Sequence, residues 1–183
     1  MGHRKVVYYL LTTIGVLVVS ACADPARNGV PTSPSGLTSA TTNILENAPF
    51  EGHDAGTFEF LENGCAVGLT ALKTHTTGTA TLIGSNAFDT QECFDDTALT
   101  FTGSLTITAA NGDTLVGTLT GQVTGFLNDV TPMYAFSADI TGGTGRFAGA
   151  RGTISGTGQG NLGTFAEARS YSGTLSGVPR GES

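Results

Sequence analysis

The sequence has no tryptophan, two methionines, three cysteines and only 13% charged residues in 183 positions. Lys and Arg number 8 against 15 Asp and Glu, a formal charge of −7. So few bases would leave the chain repelled by phosphate backbones, which excludes nucleic acid as an expected partner. Glu and Lys, both strong helix formers, number seven and two, and an all-helical protein is excluded. No uninterrupted apolar run approaches the roughly 20 residues that a membrane-spanning helix requires. In their place stand 30 Thr and 27 Gly. β-Branched Thr fits a pleated surface, so this composition favours a single all-β domain of ordinary size.

At the N-terminus, Arg4 and Lys5 precede a largely apolar run from Val6 to Val19 that ends in Val19-Ser20-Ala21-Cys22. Its length suits the apolar region of a secretory signal. Small residues followed by Cys resemble the lipobox of bacterial lipoproteins. That resemblance implies a signal peptide over residues 1–21, Cys22 as the lipid-bearing residue, and a chain anchored to the cell envelope. Ala23 after Cys22 favours the outer membrane or cell surface, if the enterobacterial sorting rule applies. An ordinary secretory signal cleaved near Ala21 or Ala23 is the alternative.

Residues 22–49 hold four of the six prolines and no sustained apolar period, the composition of a flexible tether. All ten Phe lie at or after Phe50, so the folded domain is expected over residues 50–178, with a short tail at 179–183. Once Cys22 is acylated, Cys65 and Cys93 remain, and an even pair in an exported chain is most simply a disulfide. A metal site combining them with His53 and His75 is the alternative, but it lacks any paired CxxC or HxxxH spacing. Asp89, Glu92, Asp95 and Asp96 read as a solvated acidic loop rather than a calcium site. No metal or cofactor is expected.

From residue 99 to 109, Leu99, Phe101, Gly103, Leu105, Ile107 and Ala109 alternate with Thr and Ser. This period of two marks a half-buried strand. Asn111-Gly112 suits a turn with positive φ at both central positions, after which Leu115, Gly117, Leu119, Gly121 and Val123 alternate with mostly Thr. Tyr134, Phe136, Ala138 and Ile140 give a third strand. Residues 57–61, 66–74, 78–83, 151–158 and 164–175 are further candidates. About eight short strands at hairpin spacing fit a single antiparallel barrel or a sandwich, and closure, which removes exposed edges, favours the barrel. Inward Gly103, Gly117 and Gly121 would let the strands coil sharply.

Ile140-Thr-Gly-Gly-Thr-Gly-Arg-Phe-Ala-Gly-Ala-Arg-Gly152 resembles the strand-turn-strand signature of the allene oxide cyclase and dirigent superfamily, a calycin-like barrel group. The Ala109-Ala-Asn-Gly-Asp-Thr-Leu hairpin is similar to that of bacterial members. Over roughly residues 99–177, the resemblance implies an eight-stranded antiparallel barrel in which Gly142, Gly143, Gly145 and Gly149 make a tight connection and Phe147 plugs the interior. It implies no catalytic residue.

The loop Gly143-Thr-Gly-Arg-Phe-Ala-Gly149 precedes a strand rather than a helix, unlike a phosphate-cradling loop. His53 and His75 have no local nucleophile beside them and read as exposed histidines. Toward the C-terminus, Phe165, Glu167, Arg169, Tyr171, Gly173 and Leu175 share one face of a strand. If the aromatics face inward, so do Glu167 and Arg169, and such a pair either lines a wet pocket or forms a structural salt bridge near the barrel mouth. In the first case Glu167, Arg169 and Tyr171 would orient a small, mostly apolar ligand. The leading expectation is therefore a non-enzymatic, lipid-anchored barrel that binds a small apolar ligand or surface component. A cyclase-like enzyme and a passive envelope module with a packed interior are the alternatives, and the oligomeric state is open.

Overall fold

Alternating Thr and apolar residues give each strand one face to bury, and in the computed structural model, which describes residues 43–180, those faces close on one another. Ten strands run along the chain: β1 (Ile44–Leu45), β2 (Ala48–Leu61), β3 (Thr70–Ala80), β4 (Gly84–Asp95), β5 (Thr100–Ala109), β6 (Thr114–Asn128), β7 (Thr131–Gly143), β8 (Arg151–Gly160), β9 (Ala166–Ser176) and β10 (Val178–Pro179). Strands β2 to β9 pair antiparallel in chain order, and β9 returns to β2, so the barrel is closed and eight-stranded. Closure leaves none of these eight strands as a free edge. The short β1 and β10 pair with each other as a separate ribbon.

The two barrel ends differ. At the end carrying the β3–β4, β5–β6 and β7–β8 connections, Phe50, Leu115, Phe147, Leu175 and Val178 are fully buried against one another. Phe147 belongs to a single 3-10 turn, Gly145–Phe147, and is fully buried in the barrel core. Gly145 and Gly149 flank it with φ of +56° and +84°, where a side chain would be strained. Asp113 accepts a hydrogen bond from the Arg146 amide at 3.3 Å, so a carboxylate occupies the place where an anion would approach this loop.

Several boundaries differ from the sequence reading. Strand β2 begins at Ala48 rather than residue 57, and β1 and β10 extend the folded part beyond residues 50–178. The candidates at 66–74 and 78–83 are largely one strand, β3, followed by a tight turn. Strand β4 takes up most of the supposed acidic loop. There Asp89 pairs with exposed His75 at 2.7 Å, Glu92 turns inward, and Asp95 accepts the Thr97 and Ala98 amides, each at 2.9 Å. Phe165 lies just before β9 with φ +59° and packs against Phe58 and Phe60 at the rim, so it does not share the inward face of Glu167. In the β5–β6 turn only Gly112 has positive φ, because the connection holds four residues and the Asn111 side chain braces Asp113. Cys22, the expected signal peptide over residues 1–21 and most of the expected tether lie outside the described residues.

Cys65 and Cys93 are joined as a disulfide, with their Cα atoms 5.6 Å apart. The bond ties the β2–β3 connection to β4 at the end opposite the Phe147 plug. It closes a loop with a sequence separation of 28. Replacing both cysteines by Ser is expected to cost about 2–4 kcal/mol, read as a lower urea midpoint, with a steeper slope because the unfolded chain is no longer cross-linked.

Candidate ligand cavity

Inside the barrel the apolar packing gives way midway to polar groups. From the mouth inward, Glu167, Arg169 and Tyr171 follow one another along β9, and register explains how such bulky residues fit. On β2 they face Gly56, Asp54 and Gly52, and on β8 they face Gly160, Gly158 and Gly156. Glycine therefore lies on both sides of Tyr171 and Glu167, while Arg169 has Gly158 on one side and the carboxylate of Asp54 on the other.

Arg169 Nε lies 3.1 Å from Asp54 Oδ1 and Nη2 lies 2.8 Å from Glu167 Oε1, with all three side chains almost without solvent contact. The approach to Asp54 is off the line of the N–H bonds, so charge attraction more than directed hydrogen bonding holds the pair. The guanidinium carbon also sits 4.5 Å from the centre of the Phe88 ring. Tyr134 completes the group by donating its hydroxyl to Glu167 Oε1 at 2.5 Å. The two sequence alternatives thus coincide: the pair is a buried salt bridge, and its Glu167 also lines a cavity.

That cavity occupies the mouth end and measures about 290 Å³. Phe58, Leu72, Phe94, Phe101, Val123 and Pro132 form apolar walls, and Thr74, Glu92, Asp96, Tyr134 and Glu167 supply the polar atoms. Phe60, Leu99, Phe126, Leu162 and Phe165 continue the apolar surface outward onto the exposed rim. Broader depressions of about 1,150 and 770 Å³ lie over the Ser- and Thr-covered outside of β2, β3, β8 and β9. They are shallow and open to solvent, so the smaller, deeper cavity is the better ligand site.

Comparison with known proteins finds no match: no family model, no curated protein and no solved structure matches this chain. The site must therefore be read from its own chemistry. Tyr171 sits deeper than the cavity, packed between Phe50 and Phe88 with ring centroids 5.8 and 5.4 Å away. Of the three candidates on β9, Glu167 reaches the cavity wall, Arg169 stands behind it, and Tyr171 belongs to the packed core. Asp54 was not singled out in the sequence, Tyr134 was read only as a strand residue, and Glu92 only as part of a solvated acidic loop. Among the described residues no three His, Cys, Asp or Glu side chains converge as metal ligands.

Burial raises the pKa of the Asp54 carboxyl, an effect that Arg169 and Thr76 partly offset. Burial likewise raises that of Glu92, reinforced by Glu167 and opposed by Thr90 and Arg169. For Arg169, burial favours the neutral form, but Glu167, Tyr134, Asp54 and Glu92 together outweigh it and secure the cation. The pH dependence follows. An acid whose pKa rises on folding binds its proton more tightly in the native state, so stability falls as pH rises through the window above the ordinary value, 4.5 for Glu92. Lowering the pH from about 7 toward 5 is expected to raise the melting temperature, and Glu92→Gln is expected to flatten that slope.

Proposed function

We propose that this chain is an exported, lipid-anchored cell-envelope barrel that binds a small, mostly apolar ligand in its mouth cavity and catalyses no reaction on it. The observation that carries the binding reading is the contrast between the two ends. One is packed solid around Phe147, and the other leaves an apolar-walled cavity ending on buried polar groups. Such a division, with few polar atoms at the base of an apolar cavity, is characteristic of ligand sites.

Export is supported by the Cys65–Cys93 disulfide, which persists in oxidising compartments. The apolar run before Ser20-Ala21-Cys22 supports attachment through Cys22, with residues 23–43 as the spacer and the outer membrane or cell surface as the site. The closed eight-stranded antiparallel barrel and the buried Phe147 also support membership of the allene oxide cyclase and dirigent superfamily, in its bacterial branch. Native mass spectrometry of the chain exported to an oxidising compartment tests the reading. The expected result is a retained small-molecule mass. A bare protein mass that persists after incubation with lipid extract would replace the binding module by a passive structural one. Conversion of the retained molecule by the purified protein would replace it by a cyclase-like enzyme.

A further inference from the structure

The charge balance around the cavity identifies the kind of head group it would hold. Three carboxyl groups, Asp54, Glu92 and Glu167, surround one guanidinium. Arg169 does not line the cavity: it stands behind Glu167, and its nitrogens lie within salt-bridge distance of Asp54 and Glu167. Glu167 is partnered twice, by Arg169 and by the Tyr134 hydroxyl. Glu92 differs from both of the other acids. It lines the cavity, protein atoms enclose it on its other sides, and among the described residues it takes part in no salt bridge.

Register again explains why this carboxyl has room to meet a ligand. Glu92 faces Leu72 on β3 and Gly103 on β5, so an apolar wall flanks it on one side and no side chain on the other. The nearest lysine in sequence to this end, Lys73, lies on the outward face of β3 and is exposed. Among the described residues no base pairs with Glu92 directly, and an acidic ligand would add a further negative charge to a site already rich in carboxyls.

We propose that the cavity selects an apolar molecule carrying a primary ammonium group, with Glu92 as the head-group carboxylate and Phe58, Phe94 and Phe101 around the apolar body. This deepens the binding function proposed above and rests on it. An ammonium supplies Glu92 with a positive charge and further hydrogen-bond donors, whereas a carboxylate supplies neither. The cavity volume lies at the lower edge of the range of about 300–1,000 Å³ for small-molecule sites, so the ligand is a short chain or a single ring.

Octylamine, octanol and octanoate share a chain and differ in head group, and calorimetric titration of the full-length protein with each separates the possibilities. Octylamine is expected to bind best, and Glu92→Gln to weaken it by about tenfold to a hundredfold while octanol, which carries no charge, loses far less. Retained octanol binding also shows that the variant is folded. Tightest binding of octanoate, equal binding of all three, or full octylamine affinity in Glu92→Gln would overturn the ammonium selection while leaving the cavity a binding site. Failure of all three probes, together with a bare mass after lipid extract, would instead overturn the binding function itself.

Discussion

Arg169→Met is expected to destabilise the barrel by about 3–5 kcal/mol, the cost of leaving buried carboxylates without their cation. The magnitude follows from burial, since the Arg169, Asp54 and Glu167 side chains are 2%, 0% and 8% exposed. Water cannot take over the role of the guanidinium without opening the barrel. Met keeps much of the apolar stem, so the loss measures the charge and its contact with Phe88 more than a cavity. Urea unfolding provides the measurement, and a second variant separates charge from packing. Combining Arg169→Met with Asp54→Asn and Glu167→Gln removes both orphaned charges and is expected to recover a large part of the loss. A triple variant no more stable than Arg169→Met would show that the network contributes through shape alone. A single variant as stable as the parent would show that Asp54 and Glu167 are protonated in the native protein and need no partner.

The parts of this architecture that were legible in the sequence are those whose inward residues are apolar. Residues 99–109 alternate cleanly because Phe101, Leu105, Ile107 and Ala109 all face the core, and β5 was recognisable nearly to its ends. Strand β4 was not, because polar Asn86, Thr90 and Glu92 share the inward face with Phe88 and Phe94, and its other face includes Asp89 and Gln91. A strand that contributes to a polar cavity loses the contrast on which its recognition depends. The same applies to Asp54, set in the series Phe50, Gly52, Asp54, Gly56, Phe58, where two glycines interrupt the apolar face. That series does hold the period of two from Phe50 to Phe58, and reading it as a strand would have placed Asp54 inside. Glu167 and Arg169 were found because Tyr171 and Leu175 continue their face. Their partnership with Asp54 and Tyr134 depends on which strands close the barrel, and no local pattern encodes that.

Closure also rests on glycines whose value lies in the missing side chain rather than in unusual backbone angles, and Gly173→Val tests this. By strand propensity alone Val should strengthen β9. Space argues the reverse. A Cβ on Gly173 would run into the carbonyl oxygen of Thr153 and lie 2.7 Å from Ile154 Cα, both backbone atoms of the adjacent β8. Backbone cannot rotate away as a side chain can, so the two strands would have to part beside buried Ile154 and Leu175. The expected loss is about 4 kcal/mol or more, beyond ordinary overpacking, with little folded protein recovered. Gly142 provides the comparison, since it lies in a strand of the same barrel with nothing within 4 Å of a built Cβ and no positive φ. Gly142→Val is therefore expected to remain within about 0.5 kcal/mol of the parent. Equal losses in the two variants would attribute the effect to glycine's general role in strands. A loss confined to Gly173 would assign it to the close approach of β8 and β9 that lets eight strands close around so small an interior.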